Sequence, residues 1–90
     1  MQDDKVYRVY VLRNAKGRFY IGLSENVSAR LDQHNAGISK WTRWRGPWEL
    51  VWTSDWLSLG EARKLESLLK KQKGGRGFYE MTGLERSSGA

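Results

Sequence analysis

The chain has 90 residues, a formal net charge of +6 and no cysteine. A single domain of this size buries only ~60–65% of the surface its unfolded chain exposes, so 5 Trp, 4 Tyr and 2 Phe must supply much of a thin core. Disulfide scaffolds and thiolate metal sites are excluded, no apolar run is long enough to span a bilayer, and the net charge favours a polyanionic partner, most often nucleic acid.

The opening residues MQDDKVYR lack the apolar core of a signal peptide, so a soluble, cytoplasmic protein with no membrane partner is expected. Residues 6–13 and 18–23 are rich in β-branched, aromatic and large apolar side chains. Between them Asn14-Ala15-Lys16-Gly17 is polar and ends in glycine, which predicts a β-hairpin. Each arm carries a tyrosine, Tyr10 and Tyr20. Side chains alternate along a strand, so two phenols on paired strands can share a face. Tyrosine is also an ordinary strand residue, and on the hairpin alone that reading is preferred.

A short helix is predicted next. Ser24 or Asn26 can cap its start, and Gly37 suits its end. Val27, Leu31 and His34 fall on one helical face. Arg30 and His34 are i, i+4 neighbours. Gly22, just before the helix, is expected to allow its close approach to the strand end.

Residues 38–48 hold three Trp interleaved with Lys40, Arg43 and Arg45, and Gly46-Pro47 near the end. Trp41, Trp44, Trp48, Trp52 and Trp56 are spaced as on a helix, but Pro47 argues against one helix through them. The expected form is a loop leading into a third strand, residues 48–53, in which Trp48, Leu50 and Trp52 alternate with Glu49, Val51 and Thr53. Trp48 and Trp52 are expected in the core. Trp41 and Trp44 are evenly divided between core and nucleic-acid contact.

Ser58 and Glu61 form a capping box. The helix it opens should run to about residue 72 or 73, with Ala62, Leu65, Leu68 and Leu69 as its apolar stripe and Gly74-Gly75 after it. Phe78, Tyr79, Met81 and Leu84 should let residues 76–84 pack back as a short element, and residues 86–90 should be a flexible tail.

Tyr10, Tyr20, Arg30, His34 and Glu66 together resemble the catalytic set of the GIY-YIG nuclease domain. Arg8-Val9-Tyr10 stands where that family has GIY, and Tyr20-Ile21-Gly22 is YIG itself. Residues 26–35 are similar to its first helix, with Arg30 and His34, and residues 62–70 to the helix carrying its single acidic residue. Two departures are visible: Arg8 replaces a glycine, and no Asn follows Asn35, although many members carry one after the acidic helix.

The residues themselves also select Glu66. Glu61 is already used by the capping box, whereas Glu66 stands at the edge of the apolar stripe. Its competing role is an i, i+4 ion pair with Lys70, worth only ~0.3–0.5 kcal/mol. One carboxylate is too few for two cations, so a single Mg²⁺ or Mn²⁺ held by Glu66, water and phosphate is expected. That agrees with the one-metal mechanism the resemblance implies.

The expected roles follow. Tyr10 orients or deprotonates the attacking water, with a nearby cation or a second base to help its high ordinary pKa. His34, titrating near neutral pH, is that base. Arg30 forks a phosphate, and Tyr20 positions water or phosphate. Lys40, Trp41, Arg43, Arg45, Lys70 and Lys71 are expected on DNA, with branched and single-stranded DNA among the candidate substrates.

The expected fold is α+β, ordered β-β-α-β-α with a short C-terminal element, as one GIY-YIG-like domain over residues 1–85. The expected function is a metal-dependent DNA endonuclease in repair or recombination. The alternative is a nucleic-acid-binding module without turnover. A protein partner is compatible with either.

Overall fold

The computed structural model describes residues 5–73 and 75–84; the expected tail at residues 86–90 and Gly74 lie outside them. Six elements follow in order: β1 (Arg8–Asn14), β2 (Phe19–Ser24), α1 (Val27–Asn35), β3 (Trp48–Thr53), α2 (Leu59–Gln72) and α3 (Arg76–Thr82). The strands form one antiparallel sheet in the order β2-β1-β3, so the architecture is the expected α+β. The short C-terminal element is a helix. No helix of the described residues is long and apolar enough to cross a membrane.

The central strand is the most deeply buried one, and its two faces divide the core. Val9 and Val11 face α2 and α3, where Phe19, Ile21, Ala62, Leu69 and Phe78 complete one cluster. Tyr10 and Leu12 face the other way, against Val27 and Trp48, with Tyr20 and Leu31 at the margin. The alternation of the first strand therefore sends one tyrosine to the α1 side while its neighbours build the main core.

Local chemistry explains most boundaries. The hairpin is closed by the Asn14 side chain, which accepts from the backbone N–H of Lys16 and of Arg18. Gly17 takes the positive φ of +81° that the turn requires. Asn14 is thus the buried last residue of β1 rather than a residue of the turn proper. Asn26, not Ser24, caps α1 by accepting from the Ala29 N–H. The capping box of α2 forms as expected, with Ser58 accepting from Glu61 N–H and Glu61 accepting from Ser58 N–H. Those bonds hold the Glu61 carboxyl below its usual range.

Three expectations are corrected. The alternation of β3 is interrupted: Val11 pairs with Trp52 and Leu12 with Leu50, so Val51 is an extra, bulged residue. Val51 and Trp52 consequently both pack on the main core, and Leu50 stays exposed. Leu68 is 46% exposed because Ala62, Leu65 and Leu69 already fill the strip of α2 that meets the sheet. Met81 is also exposed, while Phe78 of the same helix is fully buried.

Candidate active site

The register of the hairpin brings the two phenols together. Tyr10 lies opposite Gly22, and Leu12 opposite Tyr20, so Tyr10 and Tyr20 are diagonal neighbours on one face. Their ring centroids are 6.3 Å apart. A Cβ on Gly22 would lie 2.5 Å from the Tyr10 hydroxyl and 2.7 Å from its Cζ. Gly22 therefore makes room for the Tyr10 ring, which crosses the neighbouring strand at that point, rather than for the helix that follows.

Helix α1 carries His34 to the same place. His34 is 1% exposed, and its Nε2 is 2.9 Å from the Tyr10 hydroxyl. Its ring also packs on Tyr20, with centroids 4.7 Å apart. The second nitrogen, Nδ1, is 2.7 Å from Thr42 Oγ1, and Thr42 is itself 1% exposed. Both ring nitrogens are thus partnered, which fixes the imidazole plane.

Thr42 was not visible as a site residue in the sequence. It sits in the Trp-rich loop, where no periodicity marks it. The loop is braced from several sides. Asn35 accepts from Trp48 N–H and donates to Trp48 carbonyl. The Trp48 indole donates to the Thr42 carbonyl, and Asn14 donates to the Arg45 carbonyl. The Gly46–Pro47 peptide, where the loop enters β3, is cis.

One cationic and one anionic group complete the cluster. Arg30, one turn before His34 on α1, is half-buried and donates to Gln33 Oε1 at 2.6 Å. Glu66 arrives from α2, half-buried, with Lys70 Nζ 3.3 Å from its Oε2. The expected ion pair therefore exists. Glu66 is also close enough to Tyr10 for its charge to raise the phenol.

The environment changes both titrating groups from their expected behaviour. Burial, and then the neighbouring Tyr20, push Tyr10 up to about 12, although Arg30 acts in the opposite direction. Burial, and then the Arg30 charge, lower His34 to about 4. His34 is hence neutral throughout the physiological range instead of titrating within it, and it can accept a proton without first losing one.

That shift carries a stability prediction. An unfolded histidine titrates near 6.5. Between about pH 4 and pH 6.5 the unfolded chain binds a proton that the folded chain does not, so stability falls as pH falls through that window. The whole effect is at most about 3 kcal/mol. Urea titrations at pH 7 and pH 4.5 should show the loss, and His34→Gln should flatten it; an equal slope in the variant would assign the loss to other groups.

The cations and rings expected on nucleic acid do not all converge. Trp48 is buried, Trp52 half-buried, and Trp41 and Trp44 are 74% and 91% exposed. Trp44 adopts a φ of +69°, a region that costs ~1 kcal/mol for a residue with a Cβ. A cleft of about 820 Å³ opens beside the cluster, and Tyr20, Trp41, Arg45 and Lys70 line it. Arg18 and Lys73 line it too. Lys40, Arg43 and Lys71 are exposed but outside its lining.

A small α+β domain thus gathers a phenol from its sheet, an imidazole and a guanidinium from α1 and a carboxylate from α2 beside a basic cleft. The chain belongs to the GIY-YIG family, whose catalytic-domain model matches residues 6–78. It is similar to a UPF0213 protein of Nitratidesulfovibrio vulgaris, 39% identical over 70 residues, covering 77% of this chain and 64% of that one. A UPF0213 protein of Streptococcus pneumoniae is 40% identical over 72 residues, covering 79% of this chain and 72% of the relative. The human structure-specific endonuclease subunit SLX1 is 43% identical over 51 residues, which is 51% of this chain but 18% of that protein. No solved structure gives a significant match.

Proposed function

We propose that the chain is a DNA endonuclease that hydrolyses phosphodiester bonds with one divalent cation. The observation that carries this reading is the Tyr10 hydroxyl 2.9 Å from Nε2 of a buried, neutral His34. Family membership and the endonuclease names of SLX1 relatives support it.

The donor set fits a cation only in company with substrate. Among the described residues no three His, Cys, Asp or Glu side chains group to hold a metal ion. Glu66 would be the one protein ligand, and water and the scissile phosphate the others. Bound there, Mg²⁺ or Mn²⁺ supplies charge neutralisation at the phosphate and at the leaving oxygen.

The chain's own residues do the rest. With the imidazole proton on Nδ1, facing Thr42, Nε2 is the free acceptor for the phenol proton. Tyr10 orients the attacking water and takes its proton while passing its own to His34. A phenol raised to about 12 holds little phenolate and an imidazole lowered to about 4 is a weak base, so the proton moves along this relay only as the water attacks the phosphate and its acidity rises. Tyr20 walls the water on the other side, and Arg30 holds a phosphate oxygen as a fork. Arg45, Lys70, Lys40, Arg43 and Lys71 attract the DNA backbone, and DNA repair or recombination is the proposed setting of that cleavage. Residues 1–85 act as one domain in this reading.

Arg30→Ala is expected to lower single-turnover cleavage ~10²–10³-fold, with partial recovery in Arg30→Lys, which keeps the charge but loses the fork. Cleavage of Arg30→Ala at the wild-type rate would remove Arg30 from the site. The second reading, a binding module without turnover, draws on the Glu66–Lys70 ion pair, which gives the carboxylate a purely structural partner. The two part on cation dependence: cutting needs the metal, whereas affinity of a binder does not.

A further inference from the structure

The cleft beside the cluster has features that a duplex phosphate surface does not need. It runs along residues 17–21, so its floor lies on β2, an edge strand of the sheet. Its volume of about 820 Å³ falls in the range of cavities, ~300–1,000 Å³, that enclose drug-sized ligands, a class that includes a nucleotide. Every charged residue lining it is a cation: Arg18, Arg45, Lys70 and Lys73. Burial first, and then Lys70 and Arg18, lower Lys73, as expected where three cations converge.

The lining is also aromatic, with Tyr20, Trp41 and Trp48. Trp41 lines the cleft yet is 74% exposed, so its indole contributes little to the core. Its backbone is not loose: the Trp41 carbonyl accepts from Arg45 Nη1 at 2.7 Å, and the next residue, Thr42, is tied to His34 and to the Trp48 indole. An exposed ring on a braced backbone is a preorganised stacking platform. Tyr20 belongs both to the cleft and to the catalytic cluster, so an occupant of the cleft adjoins the scissile position.

We infer that this cleft holds an unpaired nucleotide of a DNA strand next to the scissile phosphate, its base on Trp41 and its phosphates against Arg18, Lys70 and Lys73. Bases inside a duplex have both faces stacked and offer Trp41 nothing, whereas an unpaired base presents a free π face. The rim cations alone would serve single and double strands alike. The inference rests on the nuclease reading for where the chain is cut, but the occupancy of the cleft is measurable without cutting.

The test uses Glu66→Gln protein in EDTA, with a labelled single-stranded oligonucleotide and the same strand annealed into a blunt duplex, read by fluorescence anisotropy. Adding Trp41→Ala should weaken single-strand binding ~5–150-fold, the effect of stacking one base, and change duplex binding about two-fold or less. Trp41→Phe should restore most of the loss. Equal losses on both DNAs, or none on either, would overturn the inference. The nuclease reading fails separately. Wild type that cuts nothing while the Trp41 effect persists keeps the cleft and loses the enzyme; wild type that cuts while Trp41→Ala binds normally does the reverse.

Discussion

Tyr10→Phe is expected to lower single-turnover cleavage of DNA by ~10²–10⁴-fold, the range for removing a positioned acid–base group. The change deletes one oxygen from a side chain that is 1% exposed, so the ring still fills the space above Gly22. It leaves His34 Nε2 without its 2.9 Å partner. An unpaired buried acceptor costs ~1–3 kcal/mol of stability, so the variant should fold but melt at lower temperature. The informative comparison is therefore rate against stability. A rate that falls only as far as the folded fraction would make Tyr10 a structural residue. A rate lost in fully folded protein places the phenol at the water.

Glu66→Gln is expected to lower cleavage by a similar factor, ~10²–10⁴-fold, because several kcal/mol of metal-supplied charge stabilisation depend on one protein carboxylate. Glutamine keeps the shape and a carbonyl oxygen but not the charge. Excess Mg²⁺ or Mn²⁺ should not restore the rate. DNA binding in EDTA should hold or tighten, since the change removes a negative charge from a basic surface and frees Lys70 from its 3.3 Å pair. Loss of stability without loss of rate in the folded fraction would instead show that the Glu66–Lys70 pair is its whole role. Single-turnover rates and anisotropy on one preparation measure both.

What could be read from the chain was whatever local chemistry decides. The hairpin, the two caps and the start of β3 follow from Asn14, Gly17, Asn26, Ser58, Glu61 and Pro47, each acting within a few residues. Strand alternation allows the Tyr10–Tyr20 pairing, and the hairpin register, with Leu12 opposite Tyr20, decides it. The bulge at Val51 could not be read, because period two is broken there by packing across the sheet, where Val51 and Trp52 both reach the main core. The exposure of Leu68 has a related reason: a helical stripe says which residues share a face, not how wide a strip the sheet covers. The largest change concerned His34. Its position on α1 was legible, but its neutrality depends on burial and on Arg30, and its orientation on Thr42 from a loop with no periodic signal. The expected near-neutral titration was the ordinary value of an exposed ring, and this ring is not exposed.

The measurement that bears most directly on the central claim is cleavage by the wild-type chain itself. Supercoiled plasmid and a labelled branched DNA would be incubated with Mg²⁺, with Mn²⁺ or with EDTA, and DNA binding followed in parallel. The expected result is nicking or cutting with either cation, none in EDTA, and binding in all three. Binding in all three with no cutting of either substrate, or cutting that EDTA leaves untouched, would contradict a one-cation endonuclease built on Tyr10, His34, Arg30 and Glu66.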